Sequence, residues 1–161
     1  LLSSKTVSRK VYKKIDAIEV DKSNWEIIDF DNYEENREPQ NIIDGQNSTF
    51  WHTRWSENPT EHPHHVTIDM KNKYEIAGFT ILPRTDGSQN GSIKKYEIYI
   101  STNGENWNMI GAGKLKNASE LNIIRLNKKF IGRYIKLVAL SAYNGPWTSM
   151  AEFDIIATEK L

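Results

Sequence analysis

Tyr96-Glu97-Ile98-Tyr99-Ile100 alternates between two kinds of environment. In an extended backbone successive side chains point to opposite faces, so Tyr96, Ile98 and Ile100 share one face, which reads as core, while Glu97 and Tyr99 share the other. Working outward from this stretch, short segments of the same texture recur at Trp25 to Phe30, Val66 to Met70, Ile76 to Leu82, Trp107 to Ile110, Leu121 to Leu126, Tyr134 to Leu140 and Phe153 to Ala157. Each is a few residues long and rich in β-branched or aromatic side chains. Polar stretches such as Asp86-Gly87-Ser88-Gln89-Asn90-Gly91 and Thr102-Asn103-Gly104 separate them. No segment keeps a helical period for three turns. Strands at this spacing predict an all-β fold, an antiparallel sandwich or barrel, and exclude a parallel sheet with crossover helices.

The 161 residues suit one domain with a full core. Residues 1–22, rich in Lys, Ser and Val with weak patterning, read as a linker or the tail of a preceding domain, and 23–161 as the domain itself. Lys and Arg number 21 and so do Asp and Glu, so there is no net field to draw in a polyanion, and neither nucleic acid nor an anionic membrane is expected as a partner. Cysteine is absent, which removes a disulfide framework, a thiolate zinc site and a cysteine nucleophile together. A domain without disulfides can take loop rigidity from a bound metal instead. There is no apolar run of membrane-spanning length and no signal-peptide core at the start, so the chain reads as part of a longer one.

The densest chemistry lies between strands, in Asn41-Ile42-Ile43-Asp44-Gly45-Gln46-Asn47-Ser48-Thr49-Phe50-Trp51-His52-Thr53-Arg54-Trp55. Its first half spaces oxygen-bearing side chains Asp44, Asn47 and Thr49 around a glycine, the kind of donor a hard cation such as calcium requires. A plain Asp-Gly turn would look the same. Glu152 is the remote carboxylate that could complete such a shell, or simply a solvated strand residue. The second half interleaves aromatic and cationic groups. Trp51 is expected in the core and Trp55 at the surface, where an indole beside a His and an Arg suits the apolar face and hydroxyls of a pyranose. Arg84 and the amides of Gln89 and Asn90 sit on a second loop, and Trp147 on a third, Tyr143-Asn144-Gly145-Pro146-Trp147. Taken singly, these read equally as a solvated hairpin and a core plug.

His62-Pro63-His64-His65 invites a zinc reading, but consecutive His64 and His65 in an entering strand project to opposite faces, and no third ligand at helical spacing follows. No nucleophile elbow, phosphate loop or zinc-protease motif is present, so no catalytic residue is expected.

With these loops in order, residues 24 to 157 resemble the discoidin family, the factor V/VIII type C domains, and within it the family 32 carbohydrate-binding modules. The resemblance rests on Ile43-Asp44-Gly45 through Thr49-Phe50-Trp51-His52-Thr53-Arg54-Trp55, on Leu82-Pro83-Arg84 through Asn90-Gly91, on Lys95 through Ser101, and on Gly145-Pro146-Trp147 through Ala151-Glu152-Phe153. It implies an eight-stranded antiparallel jelly-roll-like β-sandwich with one structural calcium, held by Asp44, Asn47, Thr49 and Glu152. It implies a sugar site lined by His52, Trp55, Arg84, Asn90 and Trp147, with Gln89 as the alternative to Asn90. The implied ligand is a terminal galactose or N-acetylgalactosamine. The implied setting is a monomeric, non-catalytic module without membrane insertion, within a larger secreted or surface glycoside hydrolase, with the missing cysteines favouring the bacterial modules. A discoidin domain that binds a protein or cell surface is the rival expectation.

Overall fold

The computed structural model describes residues 16–161. Eight strands carry the fold: β1 (Glu26–Phe30), β2 (Trp51–His52), β3 (His64–Leu82), β4 (Asn90–Ser101), β5 (Asn108–Lys114), β6 (Asn122–Ala142), β7 (Asn144–Met150) and β8 (Glu152–Lys160), with one short 3-10 helix at Pro39–Ile43. Their order is β1-β3-β6-β4-β7-β2, with β5 added to β4 and β8 to β3. All pairings are antiparallel except that of β4 with β7, which is parallel.

The sheet curls into a sandwich because its two long strands bend. The first half of β3, His64 to Asp69, pairs with residues 134–139 of β6, and the second half, from Tyr74, pairs with the other end of β6 and with β8. Between them the register breaks, and Lys71 adopts a left-handed φ of 64°. A bulge of this kind re-aims the strand without ending it. On β6 the matching corner holds Gly132, where a Cβ would fall 2.1 Å from Ile100 Cγ1, so only glycine lets the strands approach this closely. These bends merge segments expected as separate strands: Val66 to Met70 with Ile76 to Leu82, and Leu121 to Leu126 with Tyr134 to Leu140. The strands β2 and β7 were not expected at all.

The core lies where the two halves face each other. Tyr96, Ile98 and Ile100 are buried as the alternation requires, while Tyr99, on the opposite face, donates its hydroxyl to Glu97 at 2.9 Å. Phe79 of β3 stacks on Phe153 of β8 at 6.1 Å between centroids and meets the edge of Tyr96 at 6.0 Å. Trp51 is buried and donates its indole N–H to the Asn32 carbonyl.

Of the expected linker, residues 1–15 lie outside the described residues. Residues 16–22 run along the domain: Ile18 N–H donates to the Ala157 carbonyl at 2.8 Å, Val20 packs on the core, and Lys22 reaches Glu152 and Asp154.

Candidate functional site

Strand pairing draws three loops to one end of the sandwich. Trp51 and His52 of β2 pair with Met150 and Ser149 of β7, and β7 pairs with the start of β4, Asn90 facing Asn144. Ser149 Oγ donates to the Asn90 carbonyl at 2.7 Å, closing the seam. The loop ends converge on a cavity of about 250 Å³ lined by His52, Trp55, Arg84, Asn90 and Trp147. All five expected sugar-site residues therefore meet in one place. Gln89, the alternative to Asn90, turns away and donates to Ser119 Oγ at 3.2 Å.

His52 is buried, with Nδ1 2.6 Å from the Thr53 carbonyl. A carbonyl only accepts, so Nδ1 carries the proton and Nε2 is left as an acceptor. Burial first, and then the charges of Arg84 and Arg37, push His52 down to about 4, so the ring is neutral at physiological pH. Trp55 meets it edge-on at 4.6 Å between centroids and is 45% exposed; Trp147 lies 6.0 Å away on a tilted plane. Arg84 spends Nε and one Nη2 proton on Asp86, at 2.8 and 2.6 Å, and one Nη1 proton on the Asn90 carbonyl at 3.4 Å. Of a guanidinium's five N–H groups, two remain. Asn90 accepts through Oδ1 from Asn144, which leaves its own amide N–H₂ group. Trp147 sits against Gly145, which has φ 76° and whose added Cβ would lie 2.3 Å from the indole Cε3.

Several residues that hold this arrangement carry no sequence signal. Glu34 accepts from Trp55 N–H, Ser56 N–H and Ser56 Oγ and so fixes the turn that presents Trp55. Asn32 accepts from Arg54 N–H and donates to Thr60, tying down the same loop. Phe50 lies under both Arg37 and Arg84, with Cζ to centroid distances of 4.3 and 4.4 Å. Only the aromatic at position 50 stood out beforehand, and only as part of a dense stretch.

The oxygen-rich loop forms a second, adjacent feature. Asp44 follows the 3-10 helix, and Gly45 at φ 75° turns the chain so that Asp44 accepts from Gln46 N–H and from Thr49 Oγ1. The Asp44 and Glu152 carboxyls are neighbours, and burial together with this second carboxyl pushes Glu152 up to about 7. Glu152 Oε1 is buried without a partner, and Lys22 bears on Oε2, on the Phe153 carbonyl and on Asp154. Asn47 gives its carbonyl to Thr85 Oγ1. The donors are all oxygens, only two of them carboxylate groups, and an orphaned buried oxygen is among them. That set fits a hard cation completed by carbonyls. Among the described residues no cluster of three or more His, Cys, Asp or Glu could hold a metal, and His64 and His65 do point apart, one buried and the other beside Asp29.

A β-sandwich whose loops gather aromatic, amide and guanidinium groups at one end has the architecture of galactose-binding-like domains, a class that includes carbohydrate-binding modules. The F5/8 type C domain family matches residues 14–153. The chain belongs to that family, the discoidin domains, and its structural neighbours are family 32 carbohydrate-binding modules of glycoside hydrolases. One such module from Clostridium perfringens, solved in complex with GalNAc-β-1,3-galactose, superposes with a TM-score of 0.77 at 31% identity, covering 84% of this chain and 97% of that one. A galactose oxidase from Gibberella zeae is 37% identical over 139 residues, and a sialidase from Micromonospora viridifaciens 33% over 144; each alignment covers 84% of this chain. The chain spans about a fifth of the length of these curated relatives. Among the described residues no helix is long and apolar enough to cross a membrane.

Proposed function

We propose that this carbohydrate-binding module is non-catalytic and holds a terminal galactose or N-acetylgalactosamine for a larger secreted glycoside hydrolase. The observation that carries the reading is the single cavity formed by His52, Trp55, Arg84, Asn90 and Trp147. A neutral His52 with its proton on Nδ1 offers Nε2 to a hydroxyl donor, such as an axial O4. The two spare N–H groups of Arg84 and the Asn90 amide donate to neighbouring hydroxyls. Trp55 or Trp147 covers the C–H patch that an axial O4 leaves on the opposite face of the sugar. An equatorial O4, as in glucose, would leave His52 unpaired at about 1–3 kcal/mol. Supporting the galactose assignment is the C. perfringens module solved with a GalNAc-β-1,3-galactose ligand.

The adjacent loop is proposed as a structural calcium site held by Asp44, Asn47, Thr49 and Glu152. Calcium there would supply positive charge that clips the loop after the 3-10 helix to the start of β8, more than a hundred residues away in sequence. The orphaned Glu152 Oε1 supports this assignment.

One stacking face and a few hydrogen bonds predict weak affinity, with Kd roughly micromolar to millimolar. Titration calorimetry with galactose, N-acetylgalactosamine and glucose tests the reading in the wild type and in His52→Ala, Arg84→Ala and Trp147→Ala. Binding of galactose but not glucose, lost in the variants at unchanged melting temperature, is expected. Equal affinity for glucose, or full binding by Arg84→Ala, would sink it.

A further inference from the structure

We infer that His64, held as an imidazolium between Asp31 and the Pro146 carbonyl, is the positioning residue for Trp147 and thereby sets the shape of the cavity; its importance for ligand binding rests on the sugar-site reading above. His64 opens β3 and is completely buried. Its Nδ1 lies 2.6 Å from Asp31 Oδ2 and its Nε2 lies 2.9 Å from the Pro146 carbonyl, one residue before Trp147. A neutral imidazole has one donor and one acceptor nitrogen, yet both nitrogens here face acceptors. Without the second proton one nitrogen lone pair would face an oxygen lone pair in a site closed to water, a cost that buried polar groups rarely bear. The Asp31 carboxylate, the stronger acceptor, keeps the first proton on Nδ1, so the second proton, on Nε2, is the one that holds the Pro146 backbone.

The neighbourhood bears this out. His62 packs at 4.7 Å between ring centroids, and its Nε2 lies 3.2 Å from Thr148 Oγ1, so two histidines grip the segment on both sides of Trp147. The charged and titratable groups facing His64 are Asp31, Glu61 and His62. On β6 it pairs with Ala139, and from β7 the Pro146 carbonyl meets its Nε2. Burial opposes the charge, but the Asp31 and Pro146 hydrogen bonds and the carboxylates of Asp31 and Glu61 outweigh it, holding His64 above the ordinary histidine value. For a raised histidine the stabilisation is complete below the unfolded value and is lost as pH rises through the folded one. The clamp is thus closed below the ordinary histidine value and opens as the pH rises through His64's raised one.

Nitrogen-15 NMR of the sugar-free domain reads this directly. At pH 6 both His64 N–H groups should be present. As the pH is raised one should vanish, and the Trp147 indole resonance, assigned with Trp147→Phe, should move with the same midpoint. In Asp31→Asn that shared midpoint should fall by about 1 pH unit or more. Because no sugar is present, the result is independent of whether galactose binds. A neutral His64 at pH 6, or a Trp147 signal that stays fixed while His64 titrates, would overturn the inference.

Discussion

Two acidic clusters in this domain are built to opposite plans. At the bend of β3, Asp69 is nearly buried and faces two cations: Arg133 donates Nε and Nη2 to its two oxygens at 2.8 and 2.9 Å, and Lys71 stands at 3.3 Å. Those partners hold its carboxyl down to about 2. At the start of β8, Glu152 is as deeply buried but faces another carboxyl, Asp44, with Lys22 as the cation in contact, and it is pushed up to about 7. The first cluster is electrostatically closed and behaves as a rivet. The second is short of positive charge, and one of its oxygens has no partner. Burial alone therefore does not distinguish a structural carboxylate from a ligand-ready one; the count of opposing charges does.

The largest expected effect strikes the open cluster. Calcium at a hundredfold excess over its Kd should add about 3 kcal/mol of stability, since an ion that binds only the folded state stabilises by mass action. Melting curves in calcium and in chelator should separate, and Glu152→Ala should make them coincide. Overlaid wild-type curves would remove the calcium site.

The closed cluster should respond to mutation but not to calcium. Asp69→Asn is expected to lower stability by about 2 kcal/mol at neutral pH, the equivalent of a carboxyl moved from 3.8 to about 2. A depressed carboxylate contributes fully above its unfolded value and loses that contribution as pH falls through its folded one. Denaturant unfolding should therefore show the difference between Asp69→Asn and the wild type closing between about pH 4 and pH 2. A gap that persists at pH 2 would mean that packing, not charge, carries the effect.

The smallest effect probes how the clusters differ in kind. Lys22 bears on the same carboxylate that calcium would use. Lys22→Met should tighten calcium about tenfold, roughly 1.4 kcal/mol, by removing a tethered competitor. Calcium titration followed by melting would read this, and weaker calcium binding in the variant would show that Lys22 supports the shell instead.

Much of this architecture was legible from side-chain alternation. The pattern Tyr96, Ile98, Ile100 placed a core face correctly because a period of two is a local property of one strand. The division of labour between Trp51 and Trp55 also followed, whereas the meeting of His52, Arg84, Asn90 and Trp147 was legible only through the family resemblance. The long strands were not legible. Lys71-Asn72-Lys73 and Asn127-Lys128-Lys129 are polar, turn-like runs without register partners of their own, and the pairing on either side of them makes one strand of each pair of segments. The strand β7 was hidden for a similar reason: Asn144-Gly145-Pro146 has the composition of a turn, Gly145 has a φ of 76°, and the segment joins the sheet through pairing with the distant β4. Glu34 and Asn32 act on residues about 20 positions away, a relation no local pattern encodes.

The parallel seam between β4 and β7 has a consequence for how such a domain can change over generations. It ties the bases of the cavity-lining segments to the sandwich through backbone bonds, while the cavity is lined by single side chains at positions 52, 55, 84, 90 and 147. Backbone bonds are indifferent to side-chain identity. Selection can therefore rewrite the lining of the cavity one residue at a time, as type is changed in a fixed frame, and the core need not record the edit.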